Sequence, residues 1–402
     1  MTVKRVVTIA GHADAEARFA TAIAARADAE IVFRCVDRVE LLAAIRGASP
    51  DLIVAVGSTP WLDRQSCDEA VAARIPVVGM SCTPSDSDAL ANLGILVLPV
   101  DAELDRVLVA GFSGDALPRA PAALTRSLDR RGRLISVWGP KGAPGRSTVA
   151  VEIAAELAAT ESATALVDAD TYGGDVAQML GVVEELPSIV WACQTAASGD
   201  LDHRSLMRGL RRVGASGPVL VPGITRADLW GDVGEFAWRE LLVALRAELA
   251  HCVVDVGFCL EEETSSYSVG EGRNATARAA VRDSDFVVAV CRADAVGLKS
   301  FLWAYQGLVD LVDEDRIHVV ANRVTPGEEA SIAELLRRHA GKRPVAYLPE
   351  DAPLFRAAVS KGVAARDIGP GSATCRAIRD VVAGLGGKPR PAGVFARLAG
   401  RA

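Results

Sequence analysis

A glycine-rich loop between an apolar segment and an alanine-rich segment constrains the fold more than any other feature of this sequence. Residues 134–138 (LISVW) are typical of a buried strand, residues 139–148 (GPKGAPGRST) of a loop, and residues 149–160 of a helix. A loop of this kind presents backbone N–H groups to an anion, and a serine at the start of the helix can bind Mg²⁺. The segment therefore predicts a phosphate-binding loop in a parallel α/β sheet.

Strand-like and helical segments alternate along the whole chain, which predicts an α/β protein with doubly wound, mostly parallel sheets. The length of 402 residues indicates two to three domains. We expect a smaller α/β domain at residues 1–110 and a larger one at residues 133–387. A linker that contains Gly, Pro and Arg joins them at residues 111–132, and a basic tail follows at residues 388–402.

The composition argues against several classes of protein. Hydrophobic residues make up 50% and charged residues 24%, which excludes a disordered chain. A net charge of −7 argues against a surface covered with the basic charge that binds nucleic acid. No segment approaches the ~20 apolar residues that span a membrane, and no signal peptide is visible, so we expect a cytoplasmic protein. The eight cysteines lack metal-binding spacing and a histidine cluster, which argues against zinc and favours buried free thiols.

The glycine-rich loop resembles that of the MinD/ParA family of ATPases. It reads K-G-x-x-G-R-S-T, close to the family's K-G-G-x-G-K-[ST], with an arginine in place of the second lysine. The resemblance implies ATP and Mg²⁺ as cofactors and a homodimer in which the early lysine reaches the partner's nucleotide. The guanidinium of this arginine is larger than the ammonium of lysine and is planar. The resemblance, with this substitution, therefore implies ATP binding with weak hydrolysis. The residues thereby assigned to nucleotide binding are Lys141, Gly142, Ala143, Pro144, Gly145, Arg146, Ser147 and Thr148.

Four further positions follow the order of the family's motifs. Asp170 closes a D-x-D motif after a strand and matches the residue that orients the attacking water, so the resemblance implies catalytic roles for Lys141 and Asp170. Asp255 ends the apolar strand HCVVD and matches a carboxylate that holds Mg²⁺. Asn322 matches a residue that reads the adenine edge, and Pro349 lies in the loop beside the base. The implied ligands of Mg²⁺, directly or through water, are Ser147, Asp170 and Asp255.

The order of the two domains resembles the CpaE/TadZ branch of the family, which assembles pili at a cell pole, and the actinobacterial septum-site-determining proteins. Residues 1–110 resemble a response-regulator receiver domain in topology only. The third strand ends at residues 53–57 (IVAVG) without the phosphoacceptor Asp, residues 11–14 (GHAD) replace the acidic pair, and residues 98–101 lack the lysine. We expect a degenerate, non-phosphorylated docking domain; an unrelated flavodoxin-like fold is the alternative.

The resemblance implies a spatial regulator that dimerises over Mg-ATP and positions a septum or pilus machine, whose proteins are then its partners. Two alternatives stay open: a ParA-like partition ATPase that binds DNA, and a nucleotide-blind scaffold in which Arg146 marks a dead loop. The acidic balance argues against nucleic acid. In the tail, Val394, Phe395 and Leu398 fall on one helical face near arginines, so the tail is either a weak membrane contact or a frayed terminus. Recruitment to a membrane, pole or septum is left open.

Overall fold

The chain forms two compact units. Unit 1 comprises residues 1–128 with the short segments 194–201 and 265–270, and unit 2 comprises the remainder. The computed structural model describes residues 3–59, 61–112, 116–118, 132–142, 144–160, 163–182, 188–197, 209–214, 216–262 and 272–385. The predicted tail and most of the predicted linker therefore lie outside the described residues.

Unit 1 contains a five-stranded parallel sheet in the order β2-β1-β3-β4-β5. This is a flavodoxin-like, doubly wound order, in which the connections leave on one face from β1 and on the other from β3. The sheet is apolar along its central strands because both of its faces are covered by helices. The strands are β1 (Lys4–Ala10), β2 (Ala29–Cys35), β3 (Leu52–Val56), β4 (Val77–Ser81) and β5 (Leu96–Pro99).

Three helices of unit 1 begin at short polar side chains that accept hydrogen bonds from their first-turn N–H groups. Thr83 and Asp86 form a reciprocal capping box with Pro84 in the first turn, and Asp37 and Asp63 cap two other helices. The last helix continues to Phe112, and Ala116 packs into the same core. The helices are α1 (Ala13–Ala24), α2 (Arg38–Ala43, followed by a π-helical turn at Ala44–Ala48), α3 (Arg64–Ala72), α4 (Pro84–Asn92) and α5 (Leu104–Phe112).

Unit 2 contains an eight-stranded sheet in the order β13-β12-β11-β6-β10-β7-β9-β8, in which only β8 is antiparallel to its neighbour. The predicted α/β architecture is thus confirmed, whereas the short strands β8 and β9 were not predicted. The strands are β6 (Arg133–Trp138), β7 (Thr164–Ala169), β8 (Arg211–Arg212), β9 (Val219–Val221), β10 (His251–Val256), β11 (Phe286–Arg292), β12 (Ile317–Val324) and β13 (Ala346–Pro349).

Helices cover the sheet of unit 2 on both faces. None of the described helices is long and apolar enough to cross a membrane. The helices are α6 (Arg146–Ala159), α7 (Val176–Met179), α8 (Ile189–Ala197), α9 (Glu235–Glu248), α10 (Ala275–Asp283), α11 (Ala295–Val309), α12 (Glu329–Ala340), α13 (Ala352–Lys361), α14 (Ala365–Ile368) and α15 (Ala373–Gly384), with 3₁₀ turns at Ala227–Asp232 and Glu314–Arg316.

Helix α6 is buried on every side, from Val149 to Ala158, because it lies between the sheet and the C-terminal helices. It also buries two acidic residues, Glu152 and Glu156, which are one turn apart. Glu152 accepts hydrogen bonds from the backbone N–H groups of Ala365 (2.7 Å) and Arg366 (3.4 Å) and so caps the short helix α14. Burial raises the pKa of Glu152 to about 7, although these two hydrogen bonds oppose the shift.

We expect Glu152→Gln to change how the stability of unit 2 depends on pH. The pKa of Glu152 is about 7 in the fold against 4.5 for an ordinary glutamate, so the folded state holds the proton more tightly and loses stability as the pH rises through this window. The neutral glutamine removes this loss. Relative to wild type, the free energy of unfolding of Glu152→Gln should rise by about 2 kcal/mol between about pH 5.5 and about pH 8.

Urea unfolding followed by tryptophan fluorescence measures this difference, because five of the six tryptophans belong to unit 2. Glu328→Gln is the matched control, since Glu328 is exposed and precedes α12 without capping it. A difference between wild type and Glu152→Gln that stays constant with pH would contradict the raised pKa.

Candidate functional site

The carboxyl ends of seven parallel strands meet at one edge of the sheet in unit 2. The glycine-rich loop follows β6, Asp255 lies at the end of β10, and Asp170 directly follows β7. On the other side of β6, Arg292 and Asn322 lie at or near the ends of β11 and β12. Ligands of open α/β sheets bind at this edge, so the topology brings together residues that are far apart in the sequence.

The glycine-rich loop ends in helix α6, which begins at Arg146 rather than at Val149, where the sequence predicted its start. Ser147 and Thr148 therefore lie in the first helical turn, whose N–H groups point towards the loop. Gly145 precedes the helix in a left-handed conformation with φ of 94°. A Cβ atom at Gly145 would lie 2.4 Å from Asn322 Nδ2, so only glycine fits here. The loop thus has the geometry of an anion cradle.

Arg146, which replaces the usual lysine, forms an ion pair with Asp170 across the site. Its Nη2 atom lies 3.0 Å from Asp170 Oδ2, and its Nη1 atom donates a hydrogen bond to the carbonyl oxygen of Gly139 at 3.3 Å. The two charged side chains are only 13% and 9% exposed, so water and salt screen the pair weakly. Two residues that the sequence assigned to phosphate binding and to water orientation therefore neutralise each other in this structure.

Asp255 carries a buried carboxylate without a hydrogen-bond partner among the described residues. It is 1% exposed, and neither Oδ1 nor Oδ2 accepts a hydrogen bond of ordinary geometry. Burial raises the pKa of Asp255 to about 7; the charge of Arg146 and the nearby Ser147 hydroxyl lower it, and Asp170 and Asp175 raise it. Mg²⁺ prefers carboxylate, hydroxyl and water oxygens. Ser147 and Asp255 therefore fit a Mg²⁺ ion, which would satisfy the two unpartnered oxygens.

Asp168, the first aspartate of the D-x-D motif, shapes the loop after β7. It is directly opposite Asp255 in the neighbouring strand and is fully buried. Its Oδ1 atom accepts the backbone N–H of Asp170 at 3.3 Å, and Oδ2 accepts that of Val176 at 3.1 Å. Burial and the nearby charge of Asp255 raise the pKa of Asp168 well above its ordinary value. These two hydrogen bonds fix the backbone that follows β7, which gives Asp168 a structural role.

Asn322 and Arg292 hold the glycine-rich loop from the neighbouring strands. Asn322 Nδ2 donates to the carbonyl oxygen of Pro144 at 2.7 Å, and its Oδ1 atom accepts the N–H of Arg323 at 2.9 Å. Arg292 Nη1 donates to the carbonyl oxygen of Gly142 at 3.2 Å. The amide that the resemblance assigned to adenine is thus engaged with the loop backbone in this structure. Arg292 was not predicted from the sequence as a site residue, although a charged residue at the end of a buried strand can indicate a functional position.

The remaining assigned residues have different placements. Lys141 is exposed on the loop, and Thr148 is half-buried in the first turn of α6. Pro349 ends β13 opposite Val324, one strand beyond the loop's anchor at Asn322. Ala143 lies outside the described residues.

Two loops at this edge are joined to each other through Asn274. We call residues 170–175 the first loop and residues 257–262 the second loop. The Tyr172 hydroxyl donates to Asn274 Oδ1 at 2.9 Å, while Asn274 Nδ2 contacts Cys259 Sγ at 3.3 Å and donates to the Glu261 carbonyl oxygen at 3.0 Å. Asn274 is 3% exposed. One buried amide therefore links both loops.

Aromatic and cationic contacts strengthen this link. The rings of Tyr172 and Phe258 lie 4.8 Å apart, and the Arg273 guanidinium lies 4.1 Å from the centre of the Tyr172 ring. Arg273 also donates to the carbonyl oxygen of Thr171, and Trp138 Nε1 donates to that of Phe258 at 3.2 Å. No sequence pattern points to Asn274, because it belongs to no motif and precedes a helix of ordinary composition.

Comparisons with known proteins agree with this geometry. A family model described as ParA, NUBPL iron-transfer P-loop NTPase, matches residues 131–197, which include the glycine-rich loop and β7. The chain is 32% identical over 132 residues to the chromosome partitioning protein ParA of Myxococcus xanthus (strain DK1622). That match covers 31% of this chain and spans less than half, 44%, of the curated relative.

Solved structures share the fold. The ParA family ATPase from Chlorobium tepidum TLS is 16% identical, with a TM-score of 0.53 over 62% of this chain and 98% of that structure. The septum site-determining protein MinD complexed with Mg-ADP from Pyrococcus horikoshii OT3 is also 16% identical, with a TM-score of 0.50 over 63% of this chain and 96% of that structure. Together the comparisons show that residues 131–197 are similar to a P-loop NTPase family model and that the chain shares its fold with ParA and MinD structures.

We expect Asn274→Ala to uncouple the first and second loops. Removing the amide deletes the bonds to Tyr172, Cys259 and Glu261 together, whereas Tyr172→Phe deletes only the one to Tyr172. Side chains in direct contact have coupling energies of ~0.5–3 kcal/mol. A double-mutant cycle on the free energy of unfolding should therefore give a coupling of about 1 kcal/mol between Tyr172→Phe and Asn274→Ala.

The control cycle pairs Asn274→Ala with Tyr347→Phe, because Tyr347 lies on β13 at the other end of the sheet. That pair should be additive. Additivity between Tyr172→Phe and Asn274→Ala as well would show that the amide does not link the loops.

Proposed function

We propose that unit 2 is an ATPase of the ParA/MinD type that binds Mg-ATP and hydrolyses it slowly. The observation that carries this proposal is the buried, unpartnered Asp255 carboxylate beside Ser147, at the end of a glycine-rich loop with anion-binding geometry. A buried carboxylate without a partner destabilises a fold unless an ion or ligand satisfies it. Mg²⁺, when bound, would supply positive charge for the phosphates and for this carboxylate.

Arg146 has two competing partners in the proposed site. In this structure its guanidinium pairs with Asp170, and a bound triphosphate would offer it phosphate oxygens, which guanidinium binds in a bidentate manner. Movement of Arg146 to the phosphates would free Asp170, the residue that the family resemblance assigns to orienting the attacking water. While Arg146 remains paired with Asp170, that carboxylate is not free to orient a water molecule. This competition would allow nucleotide binding together with slow hydrolysis.

The biological role that we propose is spatial regulation by a nucleotide-dependent homodimer, at a division septum or a pilus. The exposure of Lys141 supports this role, since a lysine that reaches a partner's nucleotide has to face outwards. One structural relative is described as a septum site-determining protein. The CpaE/TadZ-like branch, a docking role for unit 1, and recruitment to a membrane or pole belong to the same proposal.

Two other functions have specific support. A curated relative is described as a chromosome partitioning protein, which favours a DNA-binding partition ATPase; ATP-stimulated DNA binding that weakens steeply with salt would identify it. The Arg146–Asp170 ion pair favours a nucleotide-blind scaffold, because it already neutralises a group that a working site needs.

We expect ATP to bind more tightly with Mg²⁺ than with a chelator, and we expect Asp255→Asn to remove most of that difference. The neutral amide keeps the shape of the side chain but loses the charge that attracts the ion. Titration calorimetry should show that the Mg²⁺-dependent gain in affinity falls at least ~tenfold, which corresponds to about 1.4 kcal/mol.

Asp228→Asn is the matched control, since this aspartate is exposed and pairs with Arg226. The scaffold becomes the better explanation if wild type binds no ATP under either condition.

We expect Arg146→Lys to raise ATP turnover at least ~tenfold, equivalent to about 1.4 kcal/mol in the barrier. Lysine supplies a compact point charge to the phosphates and cannot hold Asp170 and the Gly139 carbonyl with a planar fork. Phosphate release under saturating Mg-ATP measures the rate.

The matched control is Arg239→Lys, an arginine of unit 2 that pairs with Asp283 on the surface. Turnover that is unchanged or lower in Arg146→Lys would rule out the proposed competition for Arg146.

A further inference from the structure

Unit 1 has three metal-ligating side chains at the carboxyl edge of its sheet. His12 follows β1, Cys82 follows β4, and Asp86 lies in the first turn of α4. In the order β2-β1-β3-β4-β5, this edge includes the point between β1 and β3 where the connections diverge to opposite faces. Open α/β sheets bind ligands in the crevice at that point. The three side chains are therefore placed where the topology favours a ligand.

The distances within this cluster suit one small ion. One potential ligand atom from each of His12, Cys82 and Asp86 lies within 4.8 Å of the other two. His12 Nε2 and Asp86 Oδ2 are 3.1 Å apart. Two ligands on a tetrahedral zinc ion are separated by roughly 3.3–3.8 Å, from bonds of ~2.0–2.3 Å. To bind one ion together with Asp86, the side chains of His12 and Cys82 would have to move closer to it.

The backbone around His12 fixes the position of its imidazole ring beside Asp86. The N–H of His12 donates to the carbonyl oxygen of Val56 at 2.9 Å. Gly57 follows β3 with φ of 80°, and a Cβ atom there would lie 2.3 Å from His12 Cδ2. A side chain at position 57 would therefore expel the imidazole ring, and glycine both adopts the backbone conformation and leaves the space.

Asp86 is held rigidly as an ionised group. Its Oδ1 atom accepts hydrogen bonds from the N–H and hydroxyl of Ser58, and its Oδ2 atom from the N–H and hydroxyl of Thr83 and the N–H of Cys82. Burial raises the pKa of Asp86, but these hydrogen bonds outweigh it and leave the pKa well below its ordinary value. The carboxylate is 6% exposed and His12 is 43% exposed, so the cluster combines a fixed anion with an open side.

The donor set indicates which ion fits. Thiolate and imidazole are ligands that zinc and similar transition metals prefer, whereas Mg²⁺ and Ca²⁺ prefer oxygen. Three protein ligands and one open position are typical of zinc sites that also hold water or substrate. We propose that His12, Cys82 and Asp86 bind one divalent transition-metal ion, zinc, with its fourth position open to solvent.

Cobalt serves as the spectroscopic probe for this site. The full-length chain, freed of metal with a chelator and dialysed, is titrated with Co²⁺ and then with Zn²⁺. We expect one equivalent of Co²⁺ to produce thiolate-to-cobalt charge transfer in the near ultraviolet, and Zn²⁺ to abolish it. The Mg²⁺ ligands proposed in unit 2 are oxygens, so an ion bound there gives no such band, and the result is independent of nucleotide binding.

Two variants test the ligands and keep the hydrogen bonds that Asp86 accepts from Ser58, Thr83 and the backbone N–H of residue 82. Cys82→Ser should abolish the charge-transfer band, and His12→Ala should weaken binding at least ~100-fold, beyond the ~10–100-fold effect of losing a group that only orients a ligand. Cys259→Ser is the matched control, because Cys259 is also partly exposed but lies in unit 2. Circular dichroism and thermal unfolding check that the variants fold. The proposal is overturned if wild type binds no stoichiometric cobalt, or if both variants bind it as wild type does.

Discussion

The buried negative charge at the carboxyl edge of the eight-stranded sheet is the constraint on which the rest of unit 2 depends. Asp168 and Asp255 lie side by side in neighbouring strands, and Asp170 follows within two residues. Among the described residues, Arg146 is the cation that forms an ion pair with this group, through Asp170. Buried carboxylates are tolerated when they are paired, hydrogen-bonded or protonated. One arginine leaves Asp168 and Asp255 without an ion pair among the described residues, which supports the proposed binding of a cation.

The contacts of each aspartate follow from this shortage. Asp168 is satisfied by backbone N–H groups and fixes the start of the first loop. Asp170 forms the ion pair with Arg146. Asp255 has a raised pKa and no hydrogen-bond partner among the described residues. Because the three carboxylates interact, a change in the partner of one alters the other two. Binding of a nucleotide would therefore reach the first loop through Arg146 and Asp170, and the second loop through Asn274.

The strand ends could be predicted from the sequence, but the contacts of the long side chains could not. Asp170 and Asp255 follow apolar segments, so their place at the edge of a parallel sheet follows from the pattern. The Arg146–Asp170 pair depends on a rotamer and on the distance across the site, which no pattern contains. The contact of Asn322 with Pro144 likewise requires the space at Gly145. Asn274 contacts three residues that are not its neighbours in sequence, so its role could be recognised only in the folded chain.

The histidine, cysteine and aspartate in unit 1 show the same limit. Cysteine spacing argued against zinc, because metal motifs are sought among residues close together in the chain. His12 lies 70 residues before Cys82, and only the parallel order of β1, β3 and β4 brings them together.

The same topological rule yields both sites, but the charge balance differs. Asp86 accepts five hydrogen bonds apart from its contact with His12, so this carboxylate is satisfied without an ion. Asp255 has no such donors among the described residues, so an ion bound as proposed would contribute directly to the stability of unit 2. A ligand that binds the folded state stabilises it by mass action in either case. In unit 2 it also relieves a destabilising burial, whereas in unit 1 it adds to a site that is already satisfied.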